Sequence, residues 1–403
     1  FKQKTAYEML RSLVGSEMCI RDRVSILGMI KNNNHRPAVR LHLTNVAGVG
    51  ATQLLQSLLP ALEQYCHSTI AEIYLPGRGA LANYLPRSTS IHVTRYRRWL
   101  PNALSRLLEC TLLGRRFDGE EPLLVLGDLP LRCNAPQTVF VQTPHLLRPV
   151  QFRWSIASIK FAISRMIFRL NMRYARVFIV QSKLMRDALI ATYPALSGKV
   201  HVISQPVPAW LLEQKLVRTR RDLSTDDDLS LIYPAASYPH KNHKLLSGIS
   251  MASTDTWPVQ RLVLTVGNDL NPAPAVPWIY CVGFLSAQQM IQAYSHMDAL
   301  LFLSRDESYG FPLVEAMFVG LPIVCPDLPY ARILCGEQAI YFDPNHVASL
   351  KRAIKTLKLR LHAGWWPDWS KQLAVIPASW DEVADDMLRV VLAAQRYPDK
   401  DAI

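Results

Sequence analysis

Short, nearly uninterrupted apolar runs, each closed by a polar or glycine-bearing loop and followed by a helical pattern, recur along almost the whole sequence. Residues 39–43 lead into a turn holding Gly48 and Gly50. Leu54, Leu55, Leu58, Leu59 and Leu62 follow at the three- and four-residue spacing of an amphipathic helix. Residues 123–126, 138–141 and 177–180 repeat the theme. Strands apolar on both faces and separated by helices predict parallel sheets covered on both sides. The alternation breaks in residues 206–230, where Pro206 and Pro208, the basic run Arg218, Arg220, Arg221 and the acidic run Asp226 to Asp228 predict a linker. It resumes with strands at 229–233, 262–266, 278–282, 299–303 and 322–325. The expected fold class is therefore α/β, with two doubly wound Rossmann-like domains facing across a cleft. Ligands of open parallel sheets bind outside the carboxyl ends of the strands.

The expected domains are residues 24–205 and 231–380, with 206–230 as the linker. Residues 381–403 form a closing helix expected to pack back on the first domain. Residues 1–23 resemble translated adapter sequence of the kind attached to some assembled reads. They are set aside as a non-native leader.

Charge separates the halves. Residues 1–210 hold 27 Lys and Arg against 11 Asp and Glu, whereas the remainder holds 18 against 21. The two halves thus face different partners. Seven cysteines without a Cys-x-x-Cys pair argue against a disulfide framework or a zinc cluster and fit a reducing cytoplasm. No apolar stretch is long enough to span a membrane, so any membrane contact is expected to be peripheral.

The most informative segment runs from Glu307 to Glu315, E-S-Y-G-F-P-L-V-E. It follows an apolar strand and precedes a helix stopped at Gly320. Pro312 suits the first helical position, and Glu315 is expected in the helix's first turn. The backbone N–H groups near Gly310 and Phe311 make a site for phosphate or sugar oxygens. The two carboxylates can accept hydrogen bonds from vicinal hydroxyls, or simply cap the helix and complement its dipole.

Three stretches, P-A-A-S-Y-P-H-K-N-H-K-L-L from Pro234, residues 283–298 and residues 307–344, together resemble the nucleotide-sugar domain of glycosyltransferase family 4, retaining enzymes of the GT-B fold. The carriers are the E-x7-E spacing, the following A-M-F-V-G-L-P-I-V-C-P-D-L-P and the terminal Y-F-D-P. By this resemblance Glu307 contacts the transferred sugar, with Gly310 and Phe311 presenting N–H groups beside it. Glu315 then binds the ribose and Lys241 the donor diphosphate. Ala236 stands where family members often have arginine, five residues before the lysine. That implies a weaker or rearranged diphosphate clamp, for which His240 or Arg305 could compensate.

The first half matches more loosely. Gly48 and Gly50 resemble the family's glycine loop, and His145 in V-F-V-Q-T-P-H resembles its histidine near the reaction centre. Ser182 and Lys183 resemble a serine-bearing turn. The resemblance implies a nucleotide diphosphate sugar as co-substrate, with no cofactor and no metal, and a sugar or lipid-linked acceptor. Its setting would be cell-surface polysaccharide, lipopolysaccharide or glycolipid synthesis.

Arg165, Arg169, Arg173 and Arg176 recur at helical spacing among apolar residues. They fit either an anionic membrane surface at the inner face of the plasma membrane or an ordinary solvated helix face. Asp226 to Asp228 reads as a solvated acidic run rather than a metal site. The alternatives are another GT-B sugar enzyme, an epimerase or phosphorylase, a catalytically silent relative, or a basic nucleic-acid-binding protein. Missing interleaved aromatics argue against nucleic acid as a partner.

Overall fold

The structure is a computed structural model. It describes residues 37–46, 48–65, 69–97, 102–147, 156–214, 227–249 and 256–396. The chain divides into two compact units, one running to Gln205 and taking in the chain from Pro377 onward, the other Pro206–Ile376.

The first unit is built on seven parallel strands: β1 (Ala38–His42), β2 (Thr69–Pro76), β3 (His92–Tyr96), β4 (Leu123–Val125), β5 (Gln137–Val141), β6 (Ala175–Val180) and β7 (Val200–Val202). Their order in the sheet is β3-β2-β1-β4-β5-β6-β7. The central strands β4 and β5 are buried along their whole length, Gln137 and Thr138 of β5 included, as the apolar runs 123–126 and 138–141 imply. Helices α1 (Val49–Gln64), α2 (Asn102–Cys110), α3 (Ile156–Asn171) and α4 (Lys183–Thr192) accompany the sheet. Leu54, Leu55, Leu58, Leu59 and Leu62 of α1 are at most 3% exposed, so the spacing in the sequence marks the buried face.

The second unit carries six parallel strands: β8 (Leu229–Tyr233), β9 (Val259–Leu264), β10 (Ile279–Cys281), β11 (Ala299–Leu301), β12 (Ile323–Pro326) and β13 (Ile340–Phe342). Their order is β10-β9-β8-β11-β12-β13. Helices α5 (Ala287–His296), α6 (Phe311–Phe318), α7 (Pro329–Cys335) and α8 (Val347–His362) complete it. In each sheet the first strand lies beside the fourth. The crossovers therefore diverge to opposite sides at β1/β4 and again at β8/β11, and ligands of such sheets bind at the carboxyl side of these switch points. The expected pair of doubly wound Rossmann-like units is present.

The closing helix α9 (Trp380–Arg396) packs against α1, β5 and β6 of the first unit. Arg176 at the start of β6 donates to the carbonyls of Ala394 and Gln395, both at 2.9 Å, and so satisfies the exposed C-terminal end of that helix. Part of the expected linker, 206–214, belongs to the second unit and includes a helical turn at Ala209–Leu212. Asp226 lies outside the described residues. Asp228 pairs with Lys358 of α8 at 3.0 Å, a structural use of one acidic-run residue.

Candidate active site

In the second unit, the loop after β8 and the loop after β11 meet at the switch point. Tyr233, at the end of β8, donates its hydroxyl to the Lys241 carbonyl at 2.6 Å and pins the turn to its strand. Asn242 then adopts the left-handed conformation (φ 57°) that asparagine tolerates, which folds the chain sharply after the lysine. From the other side, the Arg305 N–H donates to the His240 carbonyl at 2.7 Å. The Pro344 carbonyl, in the Y-F-D-P string after β13, accepts from the Asn242 amide at 3.0 Å and the Arg305 guanidinium at 3.2 Å. Three segments far apart in sequence are thus tied by main-chain groups.

This lacing brings Lys241 to Glu307. The ammonium lies 2.5 Å from Oε1, and the two side chains are 16% and 10% exposed. At that burial the pair is a charge-assisted hydrogen bond weakly screened by water. His243, two residues on, is buried against the Tyr233 ring, with centroids 4.9 Å apart. Burial, and then the Lys241 charge, push its imidazole down to about 4. It therefore stays neutral and leaves Lys241 as the cation of the turn.

Gly310 opens α6 with φ 94°, a left-handed conformation that costs other residues energy. A Cβ there would also sit 3.3 Å from both Leu313 and Leu334. Helix α6 begins at Phe311, so Pro312 is its second residue rather than its first. Pro312 has no N–H, and the Leu313 and Val314 N–H groups donate to the Gly310 carbonyl at 3.0 and 3.4 Å, so those of Gly310 and Phe311 are the ones left without an acceptor in the helix. The helix ends in a paired C-terminal motif: Gly320 (φ 73°) donates to Met317 and Leu321 donates to Ala316.

Glu315 is not in the first turn, as the sequence reading expected, but is the fifth residue of α6. That position faces the interior, so the side chain is buried instead of complementing the helix dipole. Its Oε2 accepts a hydrogen bond from the fully buried Tyr294 of α5 at 2.7 Å. Burial raises the Glu315 carboxyl to about 7, against the lowering effect of the Tyr294 bond.

In the first unit, Gly48 (φ 111°) precedes α1 and Gly50 is its second residue. Both are exposed, and a Cβ on either would meet nothing within 4 Å. His145 lies in the turn Pro144–Leu146 after β5, half-buried, with its ring 4.3 Å from that of Phe161. A residue the sequence reading missed anchors this loop. Asp128, after β4, accepts from the Gln142 N–H at 2.6 Å, the Thr143 N–H at 3.0 Å and the Thr143 hydroxyl at 2.7 Å. It does so from a left-handed backbone (φ 68°), a strained geometry that the G-D pair in the sequence could have signalled. Ser182 caps α4 by accepting from the Met185 N–H at 3.2 Å.

The arginines of α3 and of the turn Met172–Tyr174 that follows it diverge. Arg165 is half-buried and donates to the His145 carbonyl at 3.3 Å, whereas Arg169 and Arg173 are exposed. Ile167 and Phe168 are buried, but Met166 and Leu170 are 50% and 56% exposed, and Arg173 donates to the Tyr174 hydroxyl at 3.2 Å. Among the described residues, no group of three or more His, Cys, Asp or Glu could hold a metal ion. No described helix is long and apolar enough to cross a membrane.

Residues 261–358 match the family model described as glycosyl transferases group 1. The O-antigen chain mannosyltransferase RfbU of Salmonella typhimurium is 25% identical over 254 residues, 59% of this chain and 67% of RfbU. A glycosyltransferase from Rickettsia africae aligns over 91% of this chain and 100% of its own, with TM-score 0.60 and 13% identity. The sucrose-phosphate synthase of Thermosynechococcus elongatus aligns over 89% and 97%, with TM-score 0.59 and 14% identity. The sequence match thus lies within the unit that holds Lys241, Glu307 and Glu315, where the chain is similar to the glycosyl transferases group 1, and the fold of two Rossmann-like units is shared with these glycosyltransferase structures along most of the chain.

Proposed function

We propose that the chain transfers a sugar, with retention of anomeric configuration, from a nucleotide diphosphate sugar to an acceptor hydroxyl in the synthesis of cell-surface polysaccharide, lipopolysaccharide or glycolipid. The observation that carries this reading is the meeting of Lys241 and Glu307 at the β8/β11 switch point, beside the open first turn of α6. Lys241 supplies positive charge for the donor diphosphate, and the N–H groups at Gly310 and Phe311 add oriented dipoles for phosphate or sugar oxygens. Glu307 holds a hydroxyl of the transferred sugar, and Glu315 holds the ribose hydroxyls. Catalysis then rests on positioning and charge stabilisation, with the leaving diphosphate accepting the acceptor's proton. No metal and no cofactor take part.

The first unit receives the acceptor. Gly48 and Gly50 leave room for close approach of a ligand, and His145 is the residue of this unit assigned a catalytic role by the resemblance. The basic bias of the first half, together with Met166, Arg169, Leu170 and Arg173, suits a lipid-linked acceptor on the anionic cytoplasmic face of the plasma membrane. The RfbU likeness favours mannose and an O-antigen-like glycan among the candidates.

The test is a panel of GDP-, UDP-, ADP- and dTDP-sugars screened by thermal stabilisation. The stabilising donor is then incubated with lipid-linked glycan acceptors. The expected result is stabilisation by at least one donor, lost in Glu315→Ala, and an acceptor-linked product whose new bond keeps the donor's anomeric configuration by NMR. Stabilisation by none, or a sugar product never joined to an acceptor, would reject the proposal.

A further inference from the structure

We infer that Tyr294 is a positioning residue for the donor site, its buried hydroxyl fixing one oxygen of Glu315 so that the other is presented, ionised, to the hydroxyls of the donor's ribose. The inference rests on the reading of Glu315 given above and goes beyond it by naming a residue outside the Glu307–Glu315 segment that makes that carboxylate usable.

The geometry is specific. Tyr294 is 0% exposed, although a phenol hydroxyl is polar and its burial needs a partner. Its O–H points from α5 across to Oε2 of Glu315 at 2.7 Å, an ordinary charge-assisted bond. Glu315 itself lies among Leu313, Val314, Ala316 and Met317, all at most 1% exposed, surroundings that favour the neutral acid. Among the described residues, Tyr294 is the one titratable group acting on Glu315, and no cation faces it. Without the phenol, the carboxyl would lose its one counterweight to burial. A protonated acid can still accept a hydrogen bond, but it binds a hydroxyl less strongly than a carboxylate does.

The dependence on pH follows from the sign. The Tyr294 bond favours the ionised form, so its removal moves the protonation midpoint of Glu315 further upward. Nucleotide affinity in Tyr294→Phe should then fall at neutral pH and recover as the solution becomes alkaline. A hydrogen bond to a charged group is strong enough to move that midpoint by about one unit, a change of about tenfold in affinity below it.

The experiment measures binding of GDP, UDP and ADP to the full chain by calorimetry between about pH 6 and pH 9. Wild type, Tyr294→Phe, Glu315→Gln, Glu315→Ala and the Tyr294→Phe/Glu315→Gln pair are compared, and thermal stability is followed alongside. The expected result has three parts. Tyr294→Phe shifts the acid limb of the affinity profile upward, with near wild-type affinity at the alkaline end. The shift disappears in the Glu315→Gln background. It also disappears with the 2′,3′-dideoxy form of the binding nucleotide, which offers Glu315 no hydroxyl.

A profile that coincides with wild type, or a loss equal at every pH and equal for the dideoxy nucleotide, would overturn the role of Tyr294 and leave a packing residue. Failure of the underlying reading has a different signature: wild type binds none of the three nucleotides, or binds one equally well in Glu315→Ala.

Discussion

The Lys241 ammonium lies 2.5 Å from the Glu307 carboxylate, joining loops 66 residues apart in the chain across the switch point of the second sheet. The two groups assigned to the donor's diphosphate and to its sugar thus neutralise each other. A diphosphate approaching Lys241 competes with Glu307 for the same ammonium.

Removing the competitor should therefore favour nucleotide binding while harming transfer. Glu307→Gln is expected to bind nucleoside diphosphate several-fold more tightly than wild type and to turn over far more slowly. Calorimetry and initial rates check both. Lys241→Met leaves Glu307 buried without a counter-charge and should cost about 3 kcal/mol of stability. The Lys241→Met/Glu307→Gln double variant should regain most of it. Strictly additive losses in thermal denaturation would show that the pair is not coupled.

Glu315 makes stability depend on pH in the opposite sense from a salt-bridged acid. Its carboxyl sits at about 7 in the fold against an ordinary 4.5, chiefly because of burial. As pH rises the unfolded chain releases this proton first, so the contribution to stability declines between those two values and is level above them. Glu315→Gln does not titrate. It should exceed wild type in stability by up to about 3 kcal/mol near pH 8, with that gain absent near pH 4. Urea denaturation at the two pH values tests this, and an equal difference at both would show that burial does not raise the Glu315 carboxyl above its ordinary range.

Transfer is expected to survive chelation. With Lys241 and the α6 N-terminus as the diphosphate's counter-charge, activity in excess EDTA should stay within about twofold of the untreated rate. Loss of activity restored by magnesium or manganese would reveal a metal requirement.

The exposed residues of α3 and of the turn after it yield a binding prediction. Arg169→Gln with Arg173→Gln should weaken sedimentation with phosphatidylglycerol vesicles by about tenfold, at roughly 1 kcal/mol for each basic residue, and added salt should weaken it further. Met166→Ser with Leu170→Ser should weaken it as well, since their apolar surface is already in water in the free protein. Failure of wild type to sediment with anionic vesicles at low salt would remove the membrane from the proposal.

Much of the architecture could be read in the residues themselves. Apolar runs such as Leu229–Tyr233 must be buried on both faces, and in alternation with helices only parallel covered sheets accommodate them. Gly310 and Gly320 bracket α6 because each takes a backbone conformation that side chains resist, so the strand-to-helix turn and its length were written locally. The edge strands His92–Tyr96 and Val200–Val202 left no such mark. Each pairs on one side only and mixes polar with apolar residues.

The tertiary structure alone decided who meets whom. Nothing in the spacing of Lys241 and Glu307 says that they bond, since the contact exists only because β8 and β11 become neighbours. Likewise Tyr294 reaches Glu315 only once α5 and α6 pack, and α9 finds α1, β5 and β6 only after the chain has completed another unit. Local sequence governs backbone conformation and the face that must be buried. Strand order and long-range packing govern which polar groups share a site, because those partners are far apart along the chain and are brought together by the fold as a whole.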